Sequence, residues 1–196
     1  MASGRAGTRV VLMHDASKPL LALEKVLRAQ GHRPVGCFEI DTPAVTSVSL
    51  MRPDIVLACV EVPTDDALEV LGRLQCEHPA PMALVAERSD PRLTRRVIRV
   101  GISDYVIGNL ERVQLGILFD VASTRFDWQQ QLLKSLQDAR TRLADQRDIG
   151  RAKGLIMKRR ELDEDQAYQL LRKMAMDRKQ LLGDFSRQLL VAAEAL

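Results

Sequence analysis

Short apolar runs alternate with helical patterns along the first 125 residues, and this alternation limits the possible folds more than any other feature of the chain. The runs are rich in Val, Leu, Ile or Ala, as buried strands are. The helical segments carry ordinary boundary signals, such as Gly31 after one of them and Pro91 at the start of another. The predicted strands cover residues 8–13, 34–38, 54–60, 81–86 and 103–107, and the predicted helices cover residues 17–30, 43–51, 66–76, 91–100 and a segment from 110 onward.

Strands that alternate with helices predict an α/β fold, in which helices cover both faces of a parallel sheet. Right-handed crossovers leave few orders for five such strands, and the flavodoxin-like order is the commonest of them. In that fold, ligands bind beyond the carboxyl ends of the strands. The residues at that edge are His14, Asp15, Cys59, Ala86 and Gly108.

Composition excludes several classes of protein. The 196 residues are 46% hydrophobic and 28% charged, as in a globular chain with one large domain, or a medium domain and a small one. Only 4% are aromatic, which disfavours modules that stack bases on a sheet. Residues 1–8 lack the apolar core of a signal peptide, and no apolar run is long enough to cross a membrane. The three widely spaced cysteines fit neither a disulfide framework nor a zinc site, so we expect a cytoplasmic protein with no membrane partner.

Positive charge is concentrated near the C-terminus. Residues 147–196 contain 11 Lys or Arg and 8 Asp or Glu, an excess equal to the net charge of +3. Within 14 residues, six cations stand against the single acid Asp148: Arg147, Arg151, Lys153, Lys158, Arg159 and Arg160. Such a cluster can hold phosphate groups, although it is also compatible with a solvated helix face.

A long helix is predicted between the two halves of the chain. Residues 110–149 contain no proline and a single glycine, Gly116. Leu132, Leu136, Ala139 and Leu143 are spaced by four, three and four residues, which is the spacing of a heptad seam. The pattern favours a helical linker over residues 123–146 that forms a short coiled coil in a homodimer. The alternative is a helix that packs on its own domain.

The last fifty residues predict three short amphipathic helices. The first covers residues 146–160. Residues 163–166 (Asp-Glu-Asp-Gln) have the form of a capping box that opens the second, and residues 177–180 (Asp-Arg-Lys-Gln) repeat that form before the third. Gly154 falls inside the first helix, where glycine costs about 1 kcal/mol relative to alanine. Either a close helix crossing or the approach of a phosphate backbone would explain it.

The first half resembles the receiver domain of two-component response regulators over about residues 8–122. The resemblance rests on the order of elements and on the run PDIVLACVEVP at residues 53–63. It implies a phosphoacceptor site formed by Asp15, Cys59, Ala86 and Gly108. Cys59 replaces the acceptor carboxylate, while Ala86 lacks the hydroxyl and Gly108 the ammonium of a typical receiver. We therefore expect a degenerate site, in a pseudo-receiver that docks and dimerises. A redox role for Cys59 is the alternative to an inert buried thiol.

The C-terminal residues carry a more specific resemblance. Residues 147–157 (RDIGRAKGLIM), Asp165 to Tyr168, Leu171 with Arg172, and Ala175 with Met176 closely resemble the ANTAR domain, which defines a family of bacterial transcription antitermination regulators. The predicted domains are therefore a receiver-like domain at 8–122, a helical linker at 123–146 and an ANTAR domain at 147–196. This layout is most similar to the nitrate-assimilation regulators of the NasT type, with the amidase regulators of the AmiR type as relatives.

The ANTAR resemblance implies RNA binding. Members of the family recognise paired stem-loops with six-nucleotide loops in an mRNA leader and prevent formation of a terminator hairpin, so that RNA polymerase continues. It also implies a homodimer and a ligand-sensing regulatory protein as a partner. The candidate RNA-binding residues are Arg151, Ala152, Lys153, Gly154, Lys158, Arg159, Arg172 and Lys173. Met157, Leu171 and Met176 also match the motif, and we expect them in the core.

Other functions remain open from the sequence. A DNA-binding response-regulator-like transcription factor is the alternative, because a helix-turn-helix is also a set of small helices with positive charge. We expect no enzymatic activity, no metal and no cofactor, since no glycine-rich phosphate loop is present and the three histidines accompany no obvious nucleophile. Arg92, Arg95, Arg96 and Arg99 form a basic helix face that is either a docking surface for a sensor or simply solvated.

Overall fold

The computed structural model describes residues 7–15, 20–88, 91–109 and 113–194. The chain divides into two compact units that meet between Gln130 and Gln131. Ser17 and Leu110, where two of the predicted helices were expected to start, lie outside the described residues.

The first unit contains a five-stranded parallel sheet in the order β2-β1-β3-β4-β5, which confirms the flavodoxin-like prediction. The strands are β1 (Arg9–His14), β2 (Arg33–Glu39), β3 (Ile55–Val60), β4 (Met82–Ala86) and β5 (Asp104–Ile107). The helices between them are α1 (Leu20–Ala29), α2 (Thr42–Met51), α3 (Asp65–Glu77) and α4 (Pro91–Arg99).

Strand β3 is buried on both faces and separates two apolar cores. Val56, Ala58 and Val60 pack with residues of α2 and α3, while Ile55, Leu57 and Cys59 pack in a second cluster that includes Leu27 and Leu118. This alternation follows from the two-residue period of a strand. The second cluster contains the beginning of α5, the helix that follows β5.

Helix α5 runs without interruption from Leu115 to Arg160. Residues 146–160 are helical, as predicted, but they form the last part of α5 rather than a helix of their own. No proline occurs in these 46 residues, and an isolated glycine weakens a helix without ending it. The helix stops at Glu161, whose φ of 53° lies in the left-handed region.

Two further helices, α6 (Glu164–Asp177) and α7 (Leu182–Glu194), complete the second unit. The capping box at Asp163 is confirmed: the Gln166 amide N–H donates to Asp163 Oδ1 over 2.8 Å, and the Asp163 N–H donates to Gln166 Oε1 over 3.3 Å. The second predicted capping box, at residues 177–180, is wrong. Asp177 is the last residue of α6, and the Gln180 N–H donates back to the Ala175 carbonyl over 3.0 Å, so this segment ends one helix rather than starting the next.

Small residues let the three helices approach each other closely. The buried core of the second unit consists of Ala152, Ile156, Ala167, Leu171, Ala175 and Phe185. Helices α5 and α7 are close at Gly183, where an added Cβ would overlap the Asp145 carboxylate of α5. Gly154 is different, because nothing among the described residues lies within 4 Å of a Cβ built there. A close helix crossing therefore does not explain Gly154.

One arginine joins α7 to α5 beside this contact. The Arg187 guanidinium donates to Asp145 Oδ1 over 3.0 Å, to Asp148 Oδ2 over 3.1 Å and, within α7, to Asp184 Oδ1 over 3.4 Å. These carboxylates raise the pKa of Arg187. The two acids of α5 that are nearest the cationic cluster are thus turned towards α7.

Candidate nucleic-acid interface

The exposed side of α5 in the second unit carries cations separated by glycines. At about 100° per residue, Arg147, Arg151 and Lys158 fall within about 40° of one another around the helix. All three are exposed, and Ala152 and Ile156 face the core on the other side. We call Arg147, Arg151 and Lys158 the α5 cationic face. It provides positive charge along about 16 Å of helix.

Gly150 and Gly154 lie between these cations. Both are exposed, and nothing among the described residues is within 4 Å of a Cβ built at either position. No side chain therefore protrudes from the helix at these two positions among the cations. A phosphate backbone can approach this helix surface more closely than it can approach a helix surface that carries larger side chains.

Lys153 belongs to a different part of the surface. Five residues separate it from Lys158, which turns the two side chains about 140° apart. The Lys153 ammonium bonds to the Glu164 carboxylate in the first turn of α6, and its side chain is 24% exposed. The hydrogen bond and the charge of Lys153 lower the pKa of Glu164. The structure thus separates Lys153 from the α5 cationic face.

Two other candidates on α5 have contrasting positions. Ala152 is fully buried in the core of the second unit, so its side chain offers no surface to a ligand. Arg159 is exposed, about 100° around the helix from Lys158. Arg159 therefore flanks the α5 cationic face rather than forming part of it.

A second exposed row lies on α6. Tyr168, Arg172 and Met176 are spaced by four residues and project from one side of the helix, away from Ala167, Leu171 and Ala175 in the core. Tyr168 is 39% exposed and Met176 is 66% exposed. We call Tyr168, Arg172 and Met176 the α6 ridge. Lys173 is also exposed, next to Arg172.

The α6 ridge corrects one expectation and confirms two. Met176 was expected in the core but is among the more exposed apolar side chains of the chain. Leu171 is fully buried, and Met157 packs partly buried against the same core, as predicted. The sequence could have indicated the ridge, because Tyr168 and Met176 each follow a core residue, Ala167 and Ala175, and so are turned away from the core by the same angle.

The leucines of the predicted seam are exposed on α5. The side chains of Leu132, Leu136 and Leu143 are 65%, 47% and 57% exposed, and Ala139 is exposed as well. All of residues 131–144 are exposed, so this stretch does not pack on a core formed by the described residues of its own chain. The apolar side chains are available to a second copy.

The degenerate phosphoacceptor positions do converge at the carboxyl edge of the sheet. The Asp15 N–H donates to the Cys59 carbonyl over 3.3 Å, and the Gly108 N–H donates to the Ala86 carbonyl over 2.8 Å. Asp15 Oδ2 accepts a hydrogen bond from the Glu61 amide over 2.7 Å, while the Glu61 carboxylate pairs with Arg88. The side chains of Cys59 and Ala86 are fully buried.

The chemistry at this edge differs from a phosphate-binding site. The Cys59 thiol lies in the apolar cluster with Leu118 and Phe119. The polar groups nearby bond to one another, as Asp15 does to the Glu61 amide. Among the described residues, no three His, Cys, Asp or Glu side chains come together as metal ligands would.

Most of the second unit is similar to a known protein family. Residues 137–190 match the family model of the ANTAR domain. We call residues 137–190 the ANTAR segment. It contains all eight candidate RNA-binding residues and begins within α5, before Arg147. Of the seam residues, Ala139 and Leu143 fall inside the ANTAR segment, and Leu132 and Leu136 precede it.

Relatives exist for more of the chain. The transcriptional regulatory protein PdtaR of Mycobacterium tuberculosis is 25% identical over 171 residues, which cover 87% of this chain and 83% of PdtaR. A protein-glutamate methylesterase/protein-glutamine glutaminase 2 of Burkholderia thailandensis is 31% identical over 103 residues, which cover 50% of this chain and 28% of that protein. This second match is too partial to carry the activity of that protein over to this chain.

Structural similarity supports the fold of the first unit. The signal receiver domain of a modulated diguanylate cyclase from Desulfovibrio desulfuricans aligns with a TM-score of 0.52 at 20% identity, covering 63% of this chain and 98% of that domain. The sheet is therefore a receiver-like fold, followed by the ANTAR segment. No helix in the described part of the chain has the length and apolar character needed to cross a membrane.

Proposed function

We propose that this protein is an RNA-binding transcription antitermination regulator. It binds paired stem-loops with six-nucleotide loops in an mRNA leader and prevents formation of the terminator hairpin, so that RNA polymerase continues. It acts as a homodimer of the NasT type. A ligand-sensing partner protein, rather than phosphorylation, controls it.

The observation that carries this proposal is the exposed α6 ridge within a segment that matches the ANTAR domain. Proteins that recognise RNA loops stack unpaired bases on aromatic rings or guanidinium planes. Tyr168 and Arg172 offer both groups one helical turn apart, and Met176 extends the row with an apolar surface. We assign loop bases to this ridge.

Phosphate contacts position an RNA, and base contacts specify it. We assign the stem backbone to the α5 cationic face together with Lys173 and Arg159, all of them exposed. Lys153 reaches RNA only when its bond to Glu164 opens. Gly154 contributes by its lack of a side chain.

A homodimer suits a leader with two stem-loops, because each copy can hold one. We assign the contact between copies to Leu132, Leu136, Ala139 and Leu143, which share one side of α5 and are exposed in the single chain. Burial of the apolar surface of these side chains between the copies would favour association by about 25 cal/mol per Å².

Control without phosphorylation is consistent with the edge of the receiver-like sheet. A phosphoacceptor must be a carboxylate at the end of β3, and the residue there is the buried Cys59. For the sensor we propose the basic face of α4. Arg96 is already paired with Asp65 of α3, so Arg95 and Arg99, both exposed, are the principal candidates.

Binding measurements test the function. The full chain should bind an RNA with two six-nucleotide-loop hairpins more tightly than the same stems with scrambled loops, and more tightly than duplex DNA. Arg172→Ala should weaken binding by about 5- to 160-fold, the loss of a stacking contact that contributes about 1–3 kcal/mol. Arg142→Ala is the matched control, because Arg142 is exposed on α5 but points away from the α5 cationic face.

The outcomes separate the candidate functions. Equal affinity for paired and scrambled loops would overturn the antitermination proposal. A preference for duplex DNA would favour the DNA-binding response-regulator-like alternative. Circular dichroism on each variant confirms that the helices persist before affinities are compared.

A further inference from the structure

Met176 differs from the other methionines of the chain in its exposure. The chain has seven methionines, and Met1 lies outside the described residues. Of the six that the structure describes, Met176 alone is exposed, at 66%. The other five are buried or half-buried: Met13, Met51, Met82, Met157 and Met174. A small reagent in solution therefore meets the sulfur of Met176 before it meets the sulfurs of these five.

The backbone at Met176 is held in place while its side chain projects from the helix. Helix α6 ends one residue later, at Asp177, and the Met176 carbonyl accepts a hydrogen bond from the Lys179 N–H over 2.9 Å. The adjacent core position belongs to Ala175. A chemical change at the Met176 sulfur therefore alters the α6 ridge without disturbing the core or the end of the helix.

Met176 forms the apolar end of the α6 ridge. One helical turn separates it from Arg172, and a second turn separates Arg172 from Tyr168. A methionine thioether is polarizable and makes favourable contacts with aromatic rings, and nucleobases are aromatic rings. A base that stacks on Arg172 therefore finds an apolar sulfur beside it.

Hydrogen peroxide converts a methionine thioether into a polar group. The peroxide transfers one oxygen atom to the sulfur: its O–O bond breaks, an S–O bond forms from a sulfur lone pair, and water leaves. The sulfur is oxidised and the peroxide is reduced, so no further reactant is needed. The sulfoxide oxygen is a hydrogen-bond acceptor, and placing it against a base without a donor costs free energy.

We infer that Met176 is a reversible modification site, at which hydrogen peroxide weakens RNA binding by oxidising the thioether to its sulfoxide. This inference rests on the proposed function and adds to it a regulation of the α6 ridge. Methionine sulfoxide reductases carry out the reverse step, in which two thiols become a disulfide and the oxygen leaves as water. The loss of one sulfur–aromatic contact corresponds to an affinity about 2- to 12-fold lower.

Peptide mass spectrometry and RNA affinity, measured on the same samples of the full chain, test the inference. Dilute hydrogen peroxide should add one oxygen atom to Met176 before it oxidises the half-buried Met157 or Met174. The affinity for an RNA with two six-nucleotide-loop hairpins should fall by about 2- to 12-fold as the oxidised fraction of Met176 rises. Treatment with both types of methionine sulfoxide reductase, one for each epimer of the sulfoxide, should restore the affinity.

Two leucine variants of α6 separate Met176 from its neighbours. Met176→Leu keeps an apolar side chain without a sulfur atom, so its RNA affinity should not respond to peroxide. Met174→Leu is the matched control, because it removes a half-buried thioether two residues away and should respond to peroxide as the parent does. Cys76 is an exposed thiol that peroxide also reaches. Dithiothreitol added after the peroxide reverses a sulfenic acid or disulfide at Cys76 and leaves the methionine sulfoxide in place.

The results distinguish this inference from the proposed function. A parent that binds the hairpin RNA equally well with Met176 fully oxidised overturns the inference and leaves the proposed function standing. So does oxidation of Met157 or Met174 ahead of Met176, or a Met176→Leu variant that loses affinity in peroxide as the parent does. A parent that shows no preference for the hairpin RNA over scrambled loops before peroxide is added overturns the proposed function, and the effect of Met176 on RNA binding with it.

Discussion

The Lys153 ammonium bonds to the Glu164 carboxylate, joining the last turns of α5 to the first turn of α6. Lys153 is the lysine at the centre of the motif that resembles the ANTAR domain, and it is occupied within the fold. Its contribution to any ligand must therefore compete with an existing ion pair.

Glu164→Gln should release Lys153 and tighten RNA binding, because it removes both a competing carboxylate and a negative charge beside the candidate interface. Lys153→Ala should weaken RNA binding and remove the cause of the lowered Glu164 pKa. The affinity of each variant for the two-hairpin leader, measured by fluorescence anisotropy, checks this. A Glu164→Gln variant that binds RNA no better than the parent would show that Lys153 acts only within the fold.

His32 should make stability depend on pH. Its side chain is almost fully buried, its Nδ1 atom has no hydrogen-bond partner among the described residues, and its ring contacts Phe119 edge-on at a centroid distance of 4.8 Å. Burial lowers the pKa of His32 below its ordinary value of 6.5, so the unfolded chain takes up the proton more readily than the folded one. The free energy of unfolding should thus keep its full value above about pH 6.5 and decrease as the pH drops below it. Thermal melts at pH 7.5 and pH 5.5 measure the effect, and His32→Phe should show a smaller difference between them.

Two glycines should respond to alanine in opposite directions. Gly183→Ala places a methyl group against the Asp145 carboxylate and should destabilise the second unit by about 1–3 kcal/mol. The methyl group of Gly154→Ala contacts none of the described residues, so this change within α5 should stabilise the fold by about 0.4–1 kcal/mol. Urea unfolding curves measure both. If a phosphate backbone lies along the α5 cationic face, Gly154→Ala should also reduce RNA affinity despite the gain in stability.

Leu136→Asp should shift the protein towards monomer. The substitution places a carboxylate among the exposed leucines at the point where we propose that two copies meet. Gln137→Asp introduces the same charge about 100° away around the helix and should leave the mass unchanged. Light scattering measures the mass of each variant. An unchanged mass for Leu136→Asp would place the contact between copies elsewhere.

Small phosphodonors such as acetyl phosphate should leave the receiver-like unit unmodified. Cys59 has no carboxylate to form an acyl phosphate, and its thiol is buried in an apolar cluster. Intact-protein mass spectrometry after incubation with the donor checks this. A phosphoryl adduct at Asp15 or elsewhere in residues 8–122 would contradict control without phosphorylation.

Much of the fold followed from local signals in the sequence. The run at residues 54–60 predicted the central strand β3, and strands that alternate with helices fixed the parallel order. The capping box at Asp163 was equally local, since its two hydrogen bonds connect residues three apart. Residues 177–180 share only the first and last residues of that box, Asp and Gln, and they follow a helix that has to end, so they form a turn.

The contacts of the candidate site depend on how the helices fold back against one another, which local sequence patterns did not predict. The bond from Lys153 to Glu164 depends on the turn at Glu161 that folds α6 back along α5. Met176 was expected in the core because it is apolar and matches the motif, but Ala175 occupies the core position and leaves Met176 outside. The need for glycine at Gly183 comes from Asp145, 38 residues earlier in the chain.

The unbroken course of α5 also restricts how the length of this chain can change. One residue inserted between Leu143 and Arg147 would rotate the following cations by about 100° relative to the leucines, whereas seven inserted residues would leave them about 20° from their present direction. A chain that uses both sets of side chains on one side can therefore tolerate insertions at this point only where the added rotation is small, as with seven or eleven residues. Substitutions at the exposed positions in between face no such restriction, because they leave the rotation of the helix unchanged.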